Sequence, residues 1–129
     1  MPSSRWLSVP AGPGAAVSSL KAKLILPPGF DDSLRYPVLV KVYGGPASQA
    51  VYRRWGPIAD YDTFVATQGV IVAQVDGRGT AARGDQFRKQ VYLQLGILET
   101  ADQLAFGRCS QCRCDGLALL SPFSPTLSC

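Results

Sequence analysis

Two glycine-containing loops hold the residues of this chain that are best placed to do chemistry. They are Val42–Pro46 (VYGGP) and Asp76–Thr80 (DGRGT). Each follows a run of β-branched and apolar residues, so each is predicted to lie where a strand passes into a loop. Gly44 and Gly45 let the backbone turn closely, and Pro46 stiffens the exit from the first loop.

The second loop could be mistaken for a dinucleotide-binding fingerprint. The spacing does not fit G-x-G-x-x-G, because the next glycine after Gly77 and Gly79 is Gly84. We instead expect Asp76 and Arg78 to organise the loop through hydrogen bonds and charge pairing. The two glycines would then meet the backbone demands of the turn.

Two acidic side chains further along the chain could form a paired-carboxylate site. Glu99 and Asp102 are three residues apart, which places them on one face if the segment is helical. A solvated helix face, or pairing with nearby basic residues, explains the same spacing more simply.

All four cysteines fall at the end of the chain, at Cys109, Cys112, Cys114 and Cys129. Four thiolates could hold zinc, but C-x₂-C normally recurs as a second pair and here it does not. Two disulfides are an alternative in an oxidising compartment. The favoured interpretation is that these cysteines have no designed role and that the tail is translated from an intron or a shifted frame. We expect no metal and no cofactor.

The chain contains no histidine and no G-x-S-x-G pentapeptide. A Ser-His-Asp hydrolase needs its imidazole to take and return the proton of the nucleophile. We therefore expect that this chain, taken alone, cannot carry out the reaction of a serine hydrolase.

Alternation of apolar and polar residues predicts the elements that would position these loops. The predicted strands are Leu20–Leu26, Pro37–Tyr43 and Val70–Val75, and the predicted helices are Ala59–Thr67 and Gln86–Leu98, with Glu99–Phe106 continuing the second or beginning another. Strands separated by helices in this order favour an α/β fold with a largely parallel sheet.

Bulk composition limits the classes of protein to which the chain can belong. With 129 residues, 47% hydrophobic and 17% charged, it fits one globular domain. The net charge of +4 comes from scattered basic residues, so no nucleic acid is expected. No run approaches the ~20 apolar residues of a membrane span. Residues 1–19 are predicted to be a flexible lead or linker, 20–104 a folded unit, and 105–129 an irregular tail rich in Ser, Pro and Cys.

A series of blocks between Leu20 and Gln103 resembles the opening of a peptidase catalytic domain. The blocks are, in chain order, Leu24–Asp31 (LILPPGFD), Tyr36–Val40 (YPVLV), Val42–Pro46 (VYGGP), Val70–Ala73 (VIVA), Asp76–Gly79 (DGRG), Gly84–Asp85 (GD), Leu95–Gly96 (LG) and Glu99–Gln103 (ETADQ). The family that they resemble is prolyl oligopeptidase, and the most similar branch is dipeptidyl peptidase IV.

The resemblance implies a partial α/β-hydrolase fold and enzymes that remove N-terminal dipeptides ending in proline or alanine. In that family the tyrosine at the position of Tyr43 donates its hydroxyl to the oxyanion hole. The nucleophile elbow and the triad belong beyond Gln103, and a β-propeller that grips the substrate's amine belongs upstream. A parent of this family would be secreted or membrane-anchored and would act on peptides.

We therefore interpret the chain as an N-terminal portion of such a catalytic domain and expect it to be inactive by itself. The alternative is a catalytically dead interaction module, or a truncated isoform, that forms a homo-oligomer with a full-length copy. Because a sheet cut short exposes an edge and apolar faces, the sequence also predicts poor solubility.

Overall fold

The fold is built on a four-stranded mixed sheet, seen in a computed structural model that describes residues 1–14, 19–53 and 60–113. The strands are β1 (Ser3–Pro10), β2 (Ser19–Leu26), β3 (Val38–Val40) and β4 (Ile71–Asp76), and the helices are α1 (Tyr61–Thr67), α2 (Asp85–Lys89) and α3 (Leu98–Arg113). The strand order is β1-β2-β4-β3. β4 pairs antiparallel with β2 and parallel with β3.

Helices cover both faces of this sheet. On one face Phe87 of α2 and Phe106 of α3 join a core made by β1, β2 and β4. On the other face Ala66 of α1 packs with Ile25 and Val72. β4 is buried along its whole length because it is covered on both faces, as its apolar run predicts. This arrangement is a partial α/β fold.

The sheet is less parallel than the sequence predicts. Of the three strand pairings, only β3 with β4 is parallel. Two of these pairings follow from the connections: β1 and β2 are joined by a short link, which allows only an antiparallel pair, whereas β3 reaches its parallel partner β4 through a crossover containing α1.

The segment predicted to be a flexible lead contains a strand. All eight residues of β1 pair with β2, from Ser3 opposite Leu26 to Pro10 opposite Ser19. β1 is mostly exposed, and only Val9 is buried. An edge strand of this kind is stabilised by hydrogen bonds to its neighbour, which are not visible in its own sequence. The linker prediction for residues 15–18 lies outside the described residues.

The predicted helix Gln86–Leu98 is not one helix, because turns occupy most of it between α2 and the start of α3. α2 ends at Lys89 and α3 begins at Leu98. Between them Leu93 and Gly96 have φ values of 58° and 84°, which a continuous right-handed helix does not allow. Gly96 therefore ends the preceding segment rather than weakening one long helix.

The tail predicted to be irregular from residue 105 is helical as far as Arg113, the last residue of α3. Ala, Gln and Arg are good helix formers, and Phe106 is buried in the core, so helical structure persists past the change in composition. Cys109 and Cys112 are within this helix. Cys114, Cys129 and the rest of the tail lie outside the described residues.

Candidate functional site

Tyr43 lies in the loop that follows β3. The N–H of Lys41 donates to the carbonyl of Ala73 on β4 at 2.9 Å, so strand-like pairing extends to Lys41. Beyond that point the chain leaves the sheet, and the side chain of Tyr43 is 83% exposed. Gly44 has φ 69°, a left-handed conformation that glycine adopts without strain.

The ring of Tyr43 lies against the backbone of its own loop. A Cβ built on Gly45 would be 2.7 Å from Cε1 of Tyr43. A residue with a Cβ at position 45 would displace this exposed ring, so the short distance shows how closely the ring lies on the backbone of Gly45. The first loop therefore presents an exposed phenol whose ring packs against the backbone of Gly45.

A compact turn follows Tyr43 and joins the two glycine loops. The carbonyl of Gly45 accepts hydrogen bonds from the N–H and the Oγ of Ser48 at 2.9 and 2.6 Å. The carbonyl of Ser48 in turn accepts from the N–H of Ala81 at 2.8 Å, just past the second loop. The loops that the sequence singles out separately are thus neighbours in space.

Asp76, at the end of β4, binds the segment that follows this turn. Its Oδ1 accepts from the N–H of Ala50 and its Oδ2 from the N–H of Val51, each at 2.9 Å. Both Asp76 and Val51 are buried. A carboxylate that accepts two backbone N–H groups away from water forms strong, directional bonds.

Arg78 and Asp102 form a fully buried ion pair. Nε of Arg78 lies 3.1 and 3.0 Å from Oδ1 and Oδ2 of Asp102, and Nη2 lies 2.9 Å from Oδ1. The same carboxylate accepts from the N–H of Arg78 at 2.7 Å and from the N–H of Gly12 at 2.9 Å. One side chain of α3 thereby holds the second loop and the segment after β1.

The two glycines of the second loop are required for different reasons. A Cβ on Gly77 would meet the Asp102 side chain at 3.3 Å. Gly79 has φ 92°, and a Cβ there would lie 2.7 Å from Cγ2 of Val91. The first glycine makes room for the carboxylate, and the second satisfies both a left-handed backbone and a close contact.

The two acidic residues considered as a paired-carboxylate site have separate partners. Asp102 pairs with Arg78, whereas Oε2 of Glu99 accepts from the N–H of Gly96 at 2.9 Å. Glu99 therefore helps to begin α3, because it satisfies a backbone donor just before the helix. The spacing reflects helix structure and not a shared catalytic site.

A further polar cluster near Tyr43 was not anticipated from the sequence. Nζ of Lys41 lies 2.8 Å from Oδ1 of Asp62, and Nε2 of Gln74 donates to Oδ2 of Asp62 at 3.1 Å. The cluster ties the end of β3 to α1. Its one visible signal is that Lys41 is a charge in an otherwise apolar run, VLVKVY.

Comparison with known proteins gives one consistent result. A profile of the prolyl oligopeptidase family matches residues 57–110. The chain is 49% identical over 83 residues to prolyl endopeptidase FAP of Mus musculus, covering 64% of this chain and 11% of that protein. It is 35% identical over 107 residues to a probable dipeptidyl peptidase 4 of Aspergillus flavus, covering 81% of this chain and 13% of that protein.

Solved structures agree with the sequence comparison. A putative dipeptidyl aminopeptidase IV from Bacteroides ovatus superposes with a TM-score of 0.79 at 32% identity, over 92% of this chain and 17% of that one. The chain belongs to the prolyl oligopeptidase family. It is similar to the dipeptidyl peptidase IV branch and has part of the α/β-hydrolase fold.

This prolyl oligopeptidase-family chain spans roughly a tenth of the length of the curated relatives that it matches, 11% and 13% for the two above. The profile match over residues 57–110 includes the second loop and most of α3, and it begins after the loop of Tyr43. None of the helices in the described ranges combines the length and the hydropathy of a membrane span.

Proposed function

We propose that this chain is the first part of the catalytic domain of a dipeptidyl peptidase IV-like serine peptidase. In the longer protein Tyr43 donates its hydroxyl to the oxyanion of the tetrahedral intermediate, and the enzyme removes N-terminal dipeptides that end in proline or alanine. The observation behind this proposal is an exposed phenol on a strand-end loop of this fold. Hydrolases of this fold take one oxyanion donor from an early loop that precedes the nucleophile.

The edge of the sheet supports the same assignment. β3 is the end strand of the described sheet, so the backbone groups on its outer side face away from β4. In this family one more helix and strand separate the acidic signature from the nucleophile elbow. A strand added beside β3 would bring the elbow to the same end of the sheet as Tyr43, because parallel strands share their carboxyl ends.

The proposal also holds that the chain by itself does not hydrolyse peptides. It has no histidine to act as general base and no G-x-S-x-G elbow to present a nucleophilic serine. An oxyanion donor stabilises a charge that develops only after a nucleophile attacks. Tyr43 alone therefore has no reaction to assist.

Turnover of a chromogenic Xaa-Pro substrate by the longer protein and by the purified chain tests both parts. We expect activity only in the longer protein, and we expect Y43F to lower its kcat by about 10²- to 10³-fold with little change in KM. The matched control is Y61F, which removes the hydroxyl from another exposed tyrosine, on α1. Equal activity of Y43F and Y61F would contradict the role of Tyr43.

The purified chain distinguishes this proposal from an interaction module. Turnover above that of a denatured sample would contradict its inactivity. If the chain is inactive but changes the rate of the longer protein in a saturable way, the interaction module that pairs with a full-length copy is the better description.

A further inference from the structure

The loop that carries Tyr43 is fixed at two points on one strand. At its beginning, the N–H of Lys41 donates to the carbonyl of Ala73 at 2.9 Å. At its end, the N–H groups of Ala50 and Val51 donate to the carboxylate of Asp76, each at 2.9 Å. Ala73 and Asp76 both belong to β4. Both ends of the loop that carries Tyr43 are therefore attached to β4, the buried strand of the sheet.

The two attachments differ in how they are made. The first is an ordinary backbone hydrogen bond of the sheet, and many side chains at position 41 would preserve it. The second depends on a single side chain, because both acceptor oxygens belong to Asp76. Asp76 is only 6% exposed, so these bonds are shielded from competing water.

The segment between the attachments transmits the constraint toward Tyr43. Ser48 closes a turn onto Gly45 through its N–H and Oγ, at 2.9 and 2.6 Å. The ring of Tyr43 lies over Gly45, and its Cε1 is 2.7 Å from the position that a Cβ on Gly45 would occupy. Moving residues 50 and 51 would displace this turn, and with it the backbone of Gly45 that the ring of Tyr43 contacts.

We infer that Asp76 is a positioning residue for Tyr43: its carboxylate fixes the far end of the loop that presents the phenol to the oxyanion. This inference rests on the proposed function of Tyr43. Asp76 thereby acts on the connection from Lys41 to Val51 that carries Tyr43, in addition to any role in the turn that begins at its own position. Misplacement of a catalytic group by about 1 Å can cost about 10²-fold in rate, so a tether of this kind affects kcat.

A double-mutant cycle in the longer protein tests the inference. In D76N one acceptor oxygen becomes an NH₂ group that faces a backbone N–H. We expect D76N to lower kcat by about 10- to 100-fold when Tyr43 is present, with little change in KM. In the Y43F background we expect the same substitution to change kcat by less than about twofold, because the group that Asp76 positions is already gone.

Two further variants separate positioning from a general loss of stability. D32N makes the same chemical change at an exposed carboxylate and is expected to leave kcat unchanged. D76E keeps the charge and both acceptor oxygens and is expected to recover part of the kcat lost in D76N. If D76N does not fold, the cycle with Y43F is carried out with D76E.

Amide hydrogen exchange gives a readout that does not depend on activity. Loss of an acceptor should speed exchange at Ala50 and Val51 in D76N but not at Gly12, whose N–H binds Asp102. Unchanged exchange at residues 50 and 51, or additive effects of D76N and Y43F on kcat, would overturn the inference. An inactive wild-type protein, or an ineffective Y43F, would instead overturn the proposed function and the catalytic part of the inference together.

Discussion

At the scale of single residues, the carboxylate of Asp102 joins two distant segments of the chain to α3. It is fully buried, pairs with the equally buried guanidinium of Arg78 and accepts from two backbone N–H groups. Burying these two charges is costly, and the fork geometry with added hydrogen bonds offsets that cost. Removing one partner would leave the other charge buried and uncompensated.

We therefore expect D102N to destabilise the protein by about 3–5 kcal/mol, because Arg78 would keep its charge and face a new donor. Asp85 offers a matched control, since its carboxylate forms exposed ion pairs with Arg88 and Lys89. Such pairs contribute about 0–1 kcal/mol, so D85N should change the free energy of unfolding little. Urea unfolding of both variants, each made in the more soluble L39K background, measures the difference. Similar midpoints would show that the buried pair contributes no more than a surface pair.

At the scale of elements, α1 shows how a short helix is specified by its ends. Asp60 is its N-cap and accepts from the N–H of Thr63 at 2.8 Å. Gly69 follows the last turn with φ 82°, a conformation that commonly ends helices. The helix has seven residues, too few to be stable alone, so its caps and the burial of Ala66 decide its stability.

Hydrogen bonds from the side chain and backbone of Thr63 lower the pKa of Asp60 below its ordinary value of 3.8. A lowered pKa in the folded state means that the cap stabilises α1 above the ordinary pKa and that this stabilisation is lost as pH falls through the lowered one. In the more soluble L39K variant of the chain, we expect the Thr63 amide resonance to titrate with a midpoint below 3.8, and this titration should vanish when D60N is added. A midpoint at or above that value would contradict the capping assignment.

The two substitutions at Asp60 should also differ at neutral pH. D60A removes the acceptor and should destabilise α1 by about 1 kcal/mol, whereas D60N retains an acceptor and should cost less. Amide exchange within α1 measures both effects. Equal protection in D60A and D60N would indicate that packing alone holds the helix.

At the scale of the whole molecule, the outer side of β3 is one of the two exposed edges of the described sheet. β3 is an end strand, and Leu39 and Val42 beside its open edge are 37% and 56% exposed. An exposed apolar edge strand can pair with another chain. β4, by contrast, is buried between its neighbours.

We expect the 129-residue chain expressed alone to precipitate or to give broad amide signals. L39K places a charge at the edge and should raise the soluble fraction, since edge lysines oppose pairing between sheets. L104K adds the same charge at an exposed site on α3 and is expected to help less. A sharp cooperative melt of the unmodified chain as a monomer would contradict this expectation.

The sequence determined the features that depend on neighbouring residues and on family motifs. Alternation and apolar runs located β2 and β4, and the polar start of α1 located that helix. The ordered blocks identified the prolyl oligopeptidase family and, through it, an α/β-hydrolase arrangement. These patterns can be read from the sequence because the burial of a residue within a strand or helix depends on its position along that element.

Only the tertiary structure decided which distant groups meet. β1 is a strand because β2 supplies its hydrogen bonds. Asp102 binds a partner 24 residues away, and Asp76 reaches amides 25 and 26 residues away. Hydrogen bonds between such positions leave no period in the sequence, because they depend on how the sheet and helices pack. The sequence therefore indicates which loops matter, and the packing determines which side chains hold them in place.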